Sequence, residues 1–106
     1  MAVTANMERL LPKTKANLIL QHDEDDDLLL GFIAAALDYA ESYQKRRYGQ
    51  KKLPPSTEQA VIMLSSHFYE SRDGGTGGFF ADNVGAAAQV WNTVNRLLAM
   101  DKRWEV

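Results

Sequence analysis

Five consecutive acidic residues, 23–27, form the densest group of oxygen ligands in the sequence. A calcium-binding EF-hand loop needs a glycine at its sixth position and a glutamate at its twelfth. With Asp23 placed first, those positions hold Leu28 and Ala34. The acids instead suit the first turn of a helix, where negative charge complements the helix dipole. We therefore predict no metal site here.

Other residues that could bind a ligand or take part in a reaction also lack the partners that this chemistry needs. The glycine-rich segment 74–78 has no Gly-Lys-Ser/Thr ending and follows a predicted helix, whereas a phosphate-binding P-loop follows a strand. His67 lies beside Phe68 on an apolar helix face, which favours a hydrogen-bonded core histidine. Neither His67 nor His22 has an acid or nucleophile spaced to form a catalytic pair. The sequence predicts no enzyme, no catalytic residue and no cofactor.

A cluster of positive charge follows the longest predicted helix. Its members, close to Tyr43 and Tyr48, are Lys45, Arg46, Arg47, Lys51 and Lys52. A solvated helix end is the simplest interpretation. Contact with phosphate groups or with an acidic protein surface is the functional alternative. No helix-turn-helix spacing accompanies the cluster, so the sequence does not indicate base recognition.

The longest predicted helix spans residues 23–48 and separates these two groups of opposite charge. Ten residues, 28–37, carry no polar side chain. Along the helix Leu29, Ile33 and Ala36 begin a spacing that continues through Ala40 and places all four on one face. A helix that is apolar all round lies at the centre of its domain or against another chain. The apolar run 28–37 is too short to span a membrane, which takes about 20 apolar residues.

Two segments of the chain precede this helix. Residues 1–6 are expected to be a flexible start. Pro12 favours the first turn of a short helix that continues to Leu20. The inward-facing residues of that helix are either Ala16, Ile19 and Leu20 or Leu11 and Leu18.

Two further helices follow the long one. Gly49 ends the 23–48 helix, and Ser56 with Gln59 has the spacing of a capping box for a helix over 57–72. After a mobile loop at 73–79, a helical stripe runs through 84–100, and residues 101–106 are expected to be flexible. The fold class is therefore all-α: one small domain of four helices, three long and one short at the N-terminus, packed around the 23–48 helix.

The composition limits the functions open to this chain. With 106 residues it forms one domain, and its net charge of −2 argues against nucleic acid or an anionic membrane as its main partner. It contains no cysteine, which excludes disulfides, zinc–thiolate sites and thiol catalysis and fits a cytoplasmic protein. The N-terminus lacks the positive and apolar regions of a signal peptide.

Taken in order, these features resemble a known family. The acidic turn 23–27 precedes a leucine- and alanine-rich helix, 28–43. Pro54 and Pro55 introduce a helix whose end carries His67, Tyr69, Glu70 and Arg72. This order and spacing, from about Met7 to Trp104, resembles the phage gp6-like head–tail connector proteins, also called head-completion or adaptor proteins. The chain differs from many relatives in having no room at 49–53 for a longer insertion. It also carries Gly-Ala-Ala-Ala at 85–88 in place of a proline-containing stretch.

The resemblance implies a structural virion protein that forms a homo-oligomeric ring of about twelve subunits beneath the portal. Its partners would be the portal protein and a tail or stopper protein. DNA would pass through the ring without sequence-specific binding. The protein would lie at the head–tail junction of a phage or prophage virion, and in the bacterial cytoplasm during assembly.

Ring formation requires two different complementary patches on each subunit. The subunit-contact candidates are the apolar Leu28, Leu30, Phe32 and Leu37, the acids Asp25 and Asp26, and the bases Arg46 and Arg47. A second set comes from two aromatics after the glycine-rich segment and from a tryptophan in a charged tail, because tryptophan is enriched among interface anchors. These candidates for contact with the portal or tail are Phe79, Phe80, Arg103 and Trp104.

A second class of function remains open at this stage. A small helical DNA-binding or packaging protein, similar to a terminase small subunit, would use the basic cluster. The acidic net charge and the absence of a recognition helix count against it.

Overall fold

The computed structural model describes residues 2–72 and 84–102, with the backbone alone at 84–86. These residues form four helices: α1 (Ala5–Leu18), α2 (Asp26–Gln44), α3 (Pro55–Ser71) and α4 (Val84–Ala99). No strand occurs in the part of the chain described. The prediction of an all-α fold with four helices is confirmed.

The helix α1 is longer than predicted, and its predicted start at Pro12 is wrong. Thr4 caps the helix, since its hydroxyl accepts a hydrogen bond from the backbone N–H of Met7 at 3.2 Å. Pro12 lies inside the helix, where it removes one backbone hydrogen bond. Asn6, expected in a flexible start, is 4 % exposed and donates to the carbonyls of Gly49 (3.1 Å) and Lys51 (3.0 Å). These contacts with a distant loop hold α1 in place despite the proline.

The helices α2 and α3 share the centre of the bundle. Each packs against the other three, whereas α1 and α4 do not contact each other within the described residues. On α2 the side chains of Leu29, Ile33 and Ala36 are fully buried, as the spacing predicted. On α3 the fully buried apolar residues include Ala60 and Leu64. The core is therefore the interface of an α2/α3 pair, flanked by α1 on one side and α4 on the other.

The start of α3 is stabilised from a distance. The predicted capping box is wrong, because Pro54 is the residue before the helix and no side chain caps it. The hydroxyls of Ser56 and Thr57 instead donate to the carboxylate of Asp101, with a distance of 2.8 Å for Thr57. A carboxylate at this position complements the positive end of the α3 dipole. The contact also ties the end of α4 to the start of α3.

A buried amide completes this connection. Gln44 is fully buried, and its Nε2 donates to the hydroxyl of Thr57 at 2.7 Å and to the carbonyl of Leu98 at 3.0 Å. Its Oε1 accepts a hydrogen bond from the hydroxyl of Tyr48. Buried polar groups are tolerated when they are paired in this way. One side chain therefore links α2, the loop after it, α3 and α4.

We expect the substitution Gln44→Leu to lower the free energy of unfolding by about 2–4 kcal/mol, because it leaves the buried Tyr48 hydroxyl without its partner and removes the amide's hydrogen bonds to Thr57 and to the carbonyl of Leu98. Chemical denaturation measures this change. The matched control is Gln89→Leu on the exposed face of α4, which should stay within about 0.5 kcal/mol of the original protein. Equal effects of the two substitutions would contradict the role assigned to the amide.

Candidate assembly surfaces

Opposite charges occupy opposite ends of the bundle. The acidic end consists of residues 23–27, at the start of α2, and the basic end consists of residues 45–47, 51 and 52, which follow its last turn. The 19 residues of α2 separate the two ends by about 28 Å, at 1.5 Å per residue. The helix itself therefore prevents these two groups of charge from meeting within one chain.

Part of the acidic end is neutralised by its own chain. Lys15 of α1 places its Nζ 2.5 Å from Oδ1 of Asp23 and 2.8 Å from Oδ1 of Asp26. The hydrogen bonds to Asp23 and Asp26 raise the pKa of Lys15, and Lys15 lowers the pKa of Asp23. Glu24 and Asp27 are exposed and form no ion pair within the described residues. These two acids are the ones left available to a partner.

Asp25 is held by the end of α3. Its carboxylate accepts a hydrogen bond from the hydroxyl of Tyr69, and this bond, together with burial, raises the pKa of Tyr69. The guanidinium of Arg72 lies 3.9 Å from the centre of the same ring. Asp25 therefore connects the start of α2 to the end of α3.

At the basic end, too, some charged side chains are engaged within the chain. Nη1 of Arg47 lies 3.2 Å from Oε1 of Glu41 and 3.4 Å from Oδ1 of Asp38, and both contacts raise the pKa of Arg47. Arg46 lies over the ring of Tyr48, 5.7 Å from its centre.

The three lysines of the basic end are unpaired. Lys45, Lys51 and Lys52 are exposed, and none forms an ion pair within the described residues. A shallow groove runs across this end, and we call it the basic groove. Its lining residues are Arg46, Arg47, Tyr48, Lys51, Lys52 and Pro54.

The apolar candidates for subunit contact differ in exposure. Leu37 is 9 % exposed and belongs to the core, and Leu30 packs against the core. Phe32 is half-buried, with its ring 6.1 Å from that of Phe68. Leu28 is 41 % exposed, the largest exposed fraction among the four. The candidates for portal or tail contact, Phe79, Phe80, Arg103 and Trp104, lie outside the described residues.

The structure exposes two residues, Ala16 and Ile19, that one interpretation of the sequence placed inside. Ile19 was one of two alternatives for the inner face of the first helix, but it is 81 % exposed. Leu11 and Leu18 of the other alternative are half-buried. Ile19 follows α1 in a left-handed conformation, with φ of 58°. The left-handed turn explains the error, because helical spacing no longer applies to a residue beyond the helix end.

His67 occupies the position predicted for a core histidine. It is 8 % exposed, and its ring centre lies 6.1 Å from that of Trp91 and 6.2 Å from that of Phe68. Oγ of Ser71 lies 3.5 Å from its Nδ1. Burial lowers the pKa of His67.

Among residues 2–72 and 84–102, no group of three or more histidines or acids is arranged to hold a metal ion. None of the helices in that part of the chain is long and apolar enough to cross a membrane.

The fold defines a small four-helix protein with acids at one end of its central helix and bases at the other. A model of the phage gp6-like head-tail connector protein family matches residues 8–90. Because the match covers most of the chain, the protein belongs to the phage gp6-like head-tail connector family. No curated protein and no solved structure matches the sequence. Membership assigns the chain a structural role in joining phage head and tail, in the virion and with portal and tail proteins as partners.

We expect the free energy of unfolding to fall as the pH is lowered from 7 towards 5. Burial lowers the pKa of His67 in the folded state, so the unfolded chain binds a proton first, near pH 6.5, and acid then favours unfolding. Denaturation across this pH range in the original protein and in His67→Gln measures the contribution. His22→Gln, which removes the exposed histidine of the preceding loop, is the matched control. An unchanged pH slope in His67→Gln would contradict the expectation.

Proposed function

We propose that this protein forms a closed ring, of about twelve copies, that binds beneath the portal and connects the DNA-filled head to the tail. The family match over residues 8–90 carries the proposal. That range includes nearly all of α1, the central α2/α3 pair and the start of α4. In this role the ring extends the channel through which DNA passes, and it offers its far side to a tail or stopper protein. Subunits would accumulate in the host cytoplasm before joining the virion.

The two charged ends support the proposed ring. Subunits in a ring meet through heterologous contacts, in which one patch of each copy meets a different patch of the next. Acids at one end and bases at the other are such a pair. Our candidates from the sequence were Asp25 and Asp26 against Arg46 and Arg47. Asp25, Asp26 and Arg47 already form contacts within their own chain. We therefore assign the larger share of the contact between subunits to the charges without an ion pair within the described residues, which are Glu24, Asp27, Lys45, Lys51 and Lys52.

An apolar contact adds to this electrostatic one. Leu28 is exposed near the acidic end. The other apolar candidates, Leu30, Phe32 and Leu37, follow it along α2. We keep Phe79, Phe80, Arg103 and Trp104 as candidates for contact with the portal or the tail.

The alternative, a DNA-binding or packaging-associated protein, has one observation in its favour. Every charged residue that lines the basic groove is positive, and phosphodiester backbones bind such surfaces without sequence preference.

Co-sedimentation with the portal ring of the same phage or prophage tests the proposal, with duplex DNA in a parallel mobility-shift assay. The ring predicts saturable binding at one copy per portal subunit and no DNA shift. Absence of portal binding together with a salt-sensitive DNA shift would refute the proposal and favour the DNA-binding alternative.

We expect Lys51→Glu with Lys52→Glu to weaken self-association about tenfold at low salt, because each lost charge pair contributes up to about 1 kcal/mol. Glu24→Lys with Asp27→Lys should weaken it similarly, and a chain carrying all four changes should recover, since the charge pattern is only exchanged. Sedimentation velocity measures association. The control, Gln89→Glu with Asn92→Glu, adds negative charge to the exposed face of α4. Failure of the fourfold variant to recover would exclude pairing between these ends.

A further inference from the structure

The end of α1 holds an unsuitable residue for its backbone conformation. Ile19 has φ of 58° and ψ of 42°. Its N–H donates to the carbonyl of Ala16 at 3.2 Å, and the N–H of Leu20 donates to the carbonyl of Lys15 at 2.9 Å. This pair of bonds is the Schellman motif, in which glycine is the usual left-handed residue. A β-branched side chain is a conformational outlier there.

The side chain of Ile19 gains no burial in return for this strain. The left-handed conformation is unfavourable for a residue with a Cβ, and Ile19 is 81 % exposed. Glycine or asparagine would form the same turn with less strain and without exposing apolar surface. Strained residues and exposed apolar residues are both enriched at binding sites. Ile19 therefore points to a contact outside its own chain.

The surroundings of Ile19 indicate what that contact looks like. Lys15, one turn earlier on α1, binds Asp23 and Asp26, so Ile19 lies at the acidic end of the bundle. Glu24 and Asp27 are exposed there without an ion pair within the described residues. A partner must accept one branched apolar side chain and surround it with positive charge.

The basic groove meets this requirement. Tyr48 and Pro54 supply apolar lining, and Arg46, Lys51 and Lys52 supply the charge. The groove cannot receive Ile19 of the same chain, because about 28 Å of α2 separates the two ends. The occupant that fits is a second copy of the protein.

We propose that Ile19 is the apolar anchor of a head-to-tail contact, in which it enters the basic groove of the next copy while Glu24 and Asp27 pair with Lys51 and Lys52. The proposal rests on the self-association in the proposed function, but it does not depend on portal binding.

Intermolecular disulfide formation tests the geometry, since the natural chain has no cysteine. One copy carries Gln21→Cys, near Ile19, and the other carries Gln50→Cys, beside the basic groove; both residues are exposed and uncharged. We expect selective cross-linking of this pair at the highest attainable protein concentration. The control pairs Gln21→Cys with Gln89→Cys on α4. A yield no higher than that of the control would overturn the proposal.

Substitutions of Ile19 in the cross-linking pair then test the anchor. Ile19→Gly should raise Tm by relieving strain and lower the cross-linking yield about tenfold by removing the apolar contact. Ile19→Leu keeps an apolar side chain without the β-branch and should retain the yield. A residue with only a structural role would not raise Tm while lowering association. Unchanged cross-linking in Ile19→Gly would overturn the assignment.

The outcomes for the ring and for the contact are distinguishable. Selective cross-linking without portal binding would refute the ring beneath the portal and support the head-to-tail contact. Portal binding without selective cross-linking would do the reverse. A cross-linking yield no higher than that of the control, together with a DNA shift abolished by Lys51→Glu with Lys52→Glu, would assign the groove to nucleic acid and overturn the proposal.

Discussion

The paired amide of Gln44 is the constraint on which the positions of the other parts depend. An unpaired buried amide is costly, so the fold must bring its partners to one place. Those partners are Tyr48 in the loop, Thr57 at the start of α3 and Leu98 near the end of α4. Sliding any of these segments would break a bond inside the core. The same interaction therefore fixes the wall of the basic groove, through Tyr48, and the place where α4 ends.

The sequence predicted those parts of the fold that depend on neighbouring residues. The buried face of α2, through Leu29 and Ile33, follows from helical spacing alone. The start of α1 has one local signal, the cap by Thr4, but Pro12 indicated a later start. Asn6 is held by the carbonyls of Gly49 and Lys51, 43 and 45 residues away, and these tertiary contacts overrule the local preference of Pro12. The predicted start of α3 was wrong for a similar reason, because Ser56 does not cap the helix but donates, like Thr57, to the distant Asp101 that follows α4.

For the assembly surfaces, the sequence located the charge but not its availability. The two groups of charge are visible as runs of residues. Which members are free depends on packing: Lys15 of α1 takes Asp23 and Asp26, and Arg47 folds back onto Glu41. Ile19 was missed for a related reason, because periodicity describes a helix and this residue lies in the turn that ends one. The charges available to a partner can be identified only once the contacts within the chain are known.

The groups that are not paired within the described part of the chain lie at opposite ends of the subunit. A helix of this length is stiff, so the unpaired acids and Ile19 cannot reach the unpaired lysines within one chain. In the head-to-tail contact that we propose they pair between copies, and such a contact between unlike ends leaves each new copy with one free end. Such growth stops when the rotation between neighbours closes a ring, and otherwise gives an open filament. The monomer sets the chemistry of the contact, whereas the rotation angle decides the product. A portal with fixed symmetry would select the closing angle, so a weak contact suffices, because premature filaments would compete with assembly on the portal.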